Sequence, residues 1–187
     1  MEWSFGAPWE RAKWIGLDNY LWLLFNQATP LWNSIRITAF YVIGTILVEL
    51  VLGLGLALLL NGKIVGRSFY TAILIIPIVV MPSMVGMFWR LYFSFDGLVN
   101  FFVESLFGLK LNWYGPELAL PAVMIVDIWE WTPFFILIFL AGLQALPQEP
   151  FEAAIVDGAS SIQMFRFVTF PLMAPLILTA TILRLMD

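Results

Sequence analysis

The chain has 187 residues, 61% of them hydrophobic and only 12% charged, with a formal net charge of −4. Soluble domains are about a quarter charged, so this composition excludes an ordinary soluble globule, and the acidic balance excludes a large basic patch for nucleic acid. The absence of Cys and His excludes disulfides and cysteine metal sites and removes the commonest general base and metal ligand.

Residues 1–33 read as a non-spanning, extracytoplasmic segment crowded with Trp3, Trp9, Trp14, Trp22 and Trp32. Indole rings at the headgroup level explain such a cluster; sugar stacking is the weaker alternative. A membrane crossing takes about 20 mostly apolar residues. Candidate spans follow at 34–60, 69–93 and 118–143, with a partial one at 171–187 that ends in Arg184 and Asp187. Residues 34–187 thus form a transmembrane domain, all-α, as a polytopic helix bundle.

Lys and Arg near span ends set orientation. The short loop with Lys63 and Arg67 carries no acid and reads as cytoplasmic. The loop 94–117, with Asp96, Glu104, Lys110 and Glu117, reads as outward-facing, and alternation returns 144–170 to the cytoplasm. Within the outer loop, 98–109 is amphipathic, too short to span, and suits the membrane interface. Pro77 and Pro82 interrupt the second span and Pro133 the third, each removing a helix hydrogen bond. Gly53 and Gly55 permit close helix packing.

Ionisable side chains at membrane depth are expensive, so each is a candidate site. Glu49 lies mid-way along the first span. Asp127 and Glu130, three apart on the third, share a face and are flanked by Trp129 and Trp131. Carboxylates beside indole rings suit a polyhydroxylated ligand: acids accept hydroxyl hydrogen bonds and rings cover apolar sugar faces. Glu49, Asp127, Glu130 and Trp131 are therefore substrate-pathway candidates. The plainer reading of the acids is pairing with Arg on other spans, and it weighs more. Arg36 and Arg90 suit snorkelling anchors. Arg184 could pair locally with Asp187.

The most informative stretch is 150–175, PFEAAIVDGASSIQMFRFVTFPLMAP. Pro150 suits the first turn of a helix, Gly158 a left-handed helix end, and Ser160 with Gln163 a capping box opening a second helix. Ordinary connections are a few residues long, so a helix–turn–helix here needs a purpose. The pattern Glu152-Ala153-Ala154, then Asp157-Gly158-Ala159, Phe165, Thr169 and Pro171, closely resembles the EAA loop of binding-protein-dependent ABC importer permeases. The run 141–147 (AGLQALP) and the early 16–20 (GLDNY) resemble the carbohydrate branch of that family.

That resemblance implies the fold of an ABC type I importer permease, with a coupling helix at Glu152, Ala153, Ala154, Asp157, Gly158 and Ala159 docking on a separate ATP-binding cassette ATPase. Small Ala153 and Ala154 would let the partner approach, and Phe165, Phe167 and Val168 would anchor the second helix under the spans. It further implies a second permease subunit, an extracytoplasmic solute-binding protein and lipid as partners, a multi-pass place in a bacterial or archaeal inner membrane, and sugar as the transported solute. No catalytic residue, metal or cofactor is implied. The chain has no G-x-x-x-x-G-K-[ST] phosphate loop, so ATP hydrolysis falls to the partner. The family has more spans than these, so 1–187 is expected to be a fragment lacking a first span and later ones. Alternatives are an importer for polyamine, phosphate or glycerol phosphate, a secondary transporter, which would show an inverted repeat, and an intramembrane enzyme, disfavoured without His or Cys.

Overall fold

The structure, a computed structural model, describes residues 16–25, 31–62 and 64–186. Trp3, Trp9, Trp14, Lys63 and Asp187 lie outside the described residues. The chain forms two units, Met1–Phe40 and Tyr41–Asp187.

In the first unit, Gly16 adopts a positive φ of 53° and turns the chain into α1 (Asp18–Phe25). Trp32 Nε1 donates to the Leu24 carbonyl at 3.2 Å. Trp22 and Trp32 are exposed. Helix α2 (Leu31–Asn61) starts here and belongs to the second unit from Tyr41.

The second unit is all-helical among its described residues. After α2 come α3 (Arg67–Val79), α4 (Pro82–Tyr92), α5 (Leu98–Phe107), α6 (Ala119–Ala145), α7 (Glu149–Val156), α8 (Ser161–Met164) and, beyond a π-helical turn at Phe165–Thr169, α9 (Phe170–Leu185). Among the described residues, three helical stretches are long and apolar enough to cross a membrane: Leu31–Asn61, Ala119–Ala145 and Ser161–Leu185, of 31, 27 and 25 residues. At 1.5 Å per residue even the shortest exceeds the ~30 Å hydrocarbon core. With no water there to serve peptide groups, a helix that bonds internally is the economical solution.

Two expected spans differ in form. The segment 69–93 is not one helix: α3 and α4 meet at a bend of 96°. Pro82 is the cause. A residue before proline is driven out of the helical region, and Met81 (ψ 132°) and Val80 (ψ 134°) are both extended. The fourth helical stretch, by contrast, is not a partial one opening at Pro171. It runs continuously from Ser161, so the second helix of the helix–turn–helix and the apolar run are one rod. The π turn makes this possible: the Phe170 N–H reaches back to the Phe165 carbonyl, widening the helix ahead of a proline that would collide with a regular turn.

α6 is the central element. Its Phe135, Ile136, Phe139, Leu140 and Leu143 pack with Ala57 and Leu60 of α2 and Met173 and Ala180 of α9. Small residues let the backbones close in. A Cβ on Gly53 would strike Phe135 Cβ, and one on Gly142 would strike Leu176. Gly55 does not share this duty, because nothing lies within 4 Å of its would-be Cβ. Most large apolar side chains elsewhere face outward, as lipid allows.

Gly53→Val should lower the unfolding free energy in detergent by about 1–3 kcal/mol, the usual cost of overpacking, whereas Gly55→Val should be close to neutral. Thermal unfolding of both variants checks the contrast; equal effects would refute the assignment of Gly53 to the α2–α6 contact.

Candidate functional site

Three helices each bring one charge to the same place. Glu49 on α2 is completely buried. Arg184 on α9 donates to it twice, from Nε to Oε2 at 3.1 Å and from Nη2 to Oε1 at 3.3 Å. The same Nη2 donates to Asp127 Oδ2 on α6 at 2.7 Å. The planar guanidinium fork makes this double engagement possible. Its face is covered by Trp131, with the ring centroid 4.7 Å from Cζ. Two carboxylates share one guanidinium, so the cluster carries a formal excess of one negative charge. Among the described residues no buried side-chain polar atom lacks a partner.

Pairing across helices thus accounts for Glu49 and Asp127. Arg184 finds its partners on other helices; its expected neighbour Asp187 lies outside the described residues. Trp131 presents one face of its ring to the Arg184 guanidinium.

Beside the cluster lies a cavity of about 400 Å³, walled by α4, α6 and the segment between α5 and α6. Asp127 and Glu130 both line it, with Tyr41, Trp89, Trp113 and Tyr114 supplying aromatic surface and Arg90 a cation. The Tyr41 hydroxyl interacts with the Asp127 carboxylate. Glu49 and Trp131 do not line it. Trp129 instead packs edge-to-face on Trp89, with centroids 5.6 Å apart, and faces an apolar cavity of about 330 Å³ between α4, α5 and α6. Of the four pathway candidates, then, the structure brings Asp127 and Glu130 to the polar cavity.

Sequence reasoning missed what shapes this cavity's rim. Asn100, fully buried on α5, donates to the Phe95 and Leu111 carbonyls (3.1 and 2.9 Å) and accepts from Leu111 N–H and Trp113 Nε1 (3.1 and 3.0 Å). It thereby fixes Trp113 in the wall. The available signal was a lone amide in the apolar run 98–109. Tyr114 Oη donates to the Arg90 backbone carbonyl, and Arg90, expected as a snorkelling anchor, lines the cavity. Lys110 joins Asp96 at 2.8 Å and Glu104 at 3.7 Å. The Asp96 hydrogen bond holds the Lys110 ammonium above its ordinary pKa.

The helix–turn–helix forms as its residues dictate. Pro150 sits in the first turn of α7. Gly158, at φ 74°, closes a Schellman turn: Ala159 N–H donates to the Ala154 carbonyl at 2.9 Å and Gly158 N–H to that of Ile155 at 3.0 Å. The Ser160–Gln163 capping box is complete, with the Ser160 N–H donating to Gln163 Oε1 at 2.7 Å. Glu152, Ala153, Asp157 and Gly158 are exposed, while Ala154 and Ala159 are half-buried in the turn they close. Apolar Ile155, Val156 and Ile162 also face outward, Val156 at 86% exposure; the motif reading did not single them out. Phe165 and Val168 are half-buried, whereas Phe167 is exposed, with Arg166 over one face of its ring.

Residues 49–187 match the family described as binding-protein-dependent transport system inner membrane component. A probable ABC transporter permease protein, y4oQ, of Sinorhizobium fredii is 38% identical over 98% of this chain and 59% of its own length. The trehalose/maltose transport system permease protein MalF of Thermococcus litoralis is 39% identical over 92% of this chain and 59% of its own. The chain therefore spans a little under three-fifths of these relatives. A crystal structure of a bacterial alginate ABC transporter, in complex with an alginate pentasaccharide-bound periplasmic protein, superposes with a TM-score of 0.80 at 24% identity, covering 91% of this chain and 60% of that one. The fold is that of an ABC importer permease.

Removing one member of a buried ion cluster strands the others, at about 3–5 kcal/mol. Arg184→Met should therefore destabilise the protein by that amount in detergent. The triple variant Glu49→Gln, Asp127→Asn, Arg184→Met should recover most of the loss. Equal destabilisation of the single and triple variants, read by thermal unfolding, would show that packing rather than charge is at stake.

Proposed function

This chain belongs to the family of binding-protein-dependent transport system inner membrane components, and from that premise we propose that it is a membrane-spanning permease subunit of an ATP-driven sugar importer. Its helices form part of the translocation pathway, and the helix–turn–helix couples them to a separate ATPase subunit. The observation that carries this reading is the exposed surface of α7 and its turn. Glu152, Ala153, Asp157 and Gly158 stand out beside uncovered Ile155 and Val156. An apolar centre with an acidic rim is what a protein–protein contact uses, and a small Ala face allows close approach.

The mechanism is alternating access driven from outside the chain. ATP closes the ATPase pair, the coupling helices move together, and the spans tilt. The continuous rod Ser161–Leu185 supports this: a displacement at Ser160 travels along one helix to Arg184, whose ion pairs hold α2 and α6. A rigid element with two discrete arrangements at its far end is a physical route for coupling. In this reading residues 144–170 face the cytoplasm, 94–117 face a solute-binding protein, and a second permease subunit completes the pathway. Substrate passes the cavity at Asp127 and Glu130, where carboxylates accept hydroxyl hydrogen bonds and Trp89 and Trp113 offer ring faces. The names of the relatives favour sugar over polyamine or phosphate.

In the full-length protein reconstituted with its ATPase, Glu152→Lys should cut substrate-stimulated ATP hydrolysis by about tenfold, the equivalent of about 1.4 kcal/mol of docking free energy. Membrane insertion should be unchanged. Gly158→Val, which cannot adopt the left-handed turn without strain, should do the same. Normal stimulated hydrolysis in both variants would refute the docking assignment.

A further inference from the structure

We infer that Asn100 is a positioning residue for the substrate path: it holds the Trp113 ring at the angle at which the ring stacks on the C–H face of a sugar. This deepens the reading of the cavity between α4 and α6 as part of that path, and rests on it. Trp113 lines the cavity and is half-buried, so part of its surface is left for a ligand. Trp89, the other indole in this wall, is packed against three rings, those of Tyr92, Phe93 and Trp129. Trp113 packs on buried Phe93, with centroids 4.9 Å apart and planes tilted by 33°. It stands in the irregular segment between α5 and α6, where no helix sets its direction.

Packing alone does not fix such a ring. Apolar contact is non-directional, and the torsion that turns an indole about its stem is broad. The indole has one polar handle, its Nε1–H, and this donates to Asn100 Oδ1 at 3.0 Å. A second point of attachment on the ring sets its rotation. Asn100 is a firm anchor because its amide is fully engaged. Its two donors serve the Phe95 and Leu111 carbonyls, and its oxygen accepts from Leu111 N–H and Trp113. The neighbouring Tyr114 donates to the Arg90 backbone carbonyl, fastening the segment to α4. Three of the four amide bonds fasten backbone, as a purely structural asparagine would. The fourth reaches a side chain in the cavity wall. A sugar ring lies flat on an aromatic face only at a matching tilt, so the angle that Asn100 sets governs how well a solute stacks.

The test uses the full-length protein in nanodiscs with glucose, galactose, maltose and trehalose as probes, and binding is read by calorimetry. At least one probe should bind, and for it Asn100→Leu should weaken binding about tenfold. Asn100→Asp keeps oxygens that accept from Leu111 and Trp113 but loses the donated bonds. It should lower the unfolding temperature yet hold affinity within about twofold of the unaltered protein. Trp113→Phe keeps a ring on Phe93 but offers Asn100 no N–H, so it should also weaken binding even where Asn100→Leu does not fold. In protein labelled with fluorotryptophan, the fluorine resonance missing from Trp113→Phe belongs to Trp113, and it should shift as the sugar saturates. Equal loss of affinity in Asn100→Asp and Asn100→Leu would make the amide merely structural and overturn the inference. So would a Trp113 resonance that stays still while a sugar binds. In that case Asp127→Asn still reports on the cavity: weaker binding keeps the substrate-path reading, and unchanged binding removes both. Binding of no probe would overturn the assignment of the cavity to the substrate path, and the role of Asn100 with it.

Discussion

The arrangement of the long helices depends on one guanidinium. Arg184 stands in an apolar helix, where an unpaired charge costs several kcal/mol. It is tolerable because Glu49 and Asp127 arrive from two other helices at hydrogen-bond distance. Apolar packing alone would let such helices slide or rotate, since lipid tails are as good a neighbour as Leu. The ion cluster removes that freedom. It fixes the rotation of α2, α6 and α9 together, and Gly53 and Gly142 allow the backbones to approach closely.

The same cluster links the two ends of the proposed mechanism. One end of the rod Ser161–Leu185 is capped by Ser160 at the Schellman turn, and the other carries Arg184. Asp127, held by Arg184, faces the polar cavity. In that mechanism a partner pressing on α7 acts on a stiff lever whose far end meets the cavity wall at the Arg184–Asp127 contact. The π turn at Phe165–Thr169 lets Pro171 be accommodated without breaking the lever.

Much of this was legible in the residues. Pro150, Gly158, Ser160 and Gln163 each have one local conformation that suits them, so the helix–turn–helix followed from short-range chemistry. The apolar runs announced long helices, because a chain in lipid has few other ways to satisfy its peptide groups. Glu49 and Asp127 stood out by charge in those runs, and pairing with an arginine was the favoured explanation. The sequence could not say which arginine, and the bend at Pro82 could as easily have been a mild kink. It also assigned Trp131 and Phe167 by residue type, whereas Arg184 and Arg166 cover a face of each ring.

What the sequence by itself determined is therefore local or compositional: a membrane-embedded helical chain, the caps and turn of the helix–turn–helix, and its family likeness. Each of these rests on interactions within a few residues or on overall solvent preference. Only the tertiary structure decided that Arg184 joins Glu49 and Asp127, that Asp127 and Glu130 share a cavity while Glu49 does not, and that Asn100 sets Trp113 in its wall. The physical reason is distance along the chain. Glu49 and Arg184 are 135 positions apart, and no local rule relates the rotation of one helix to that of another until their side chains interlock.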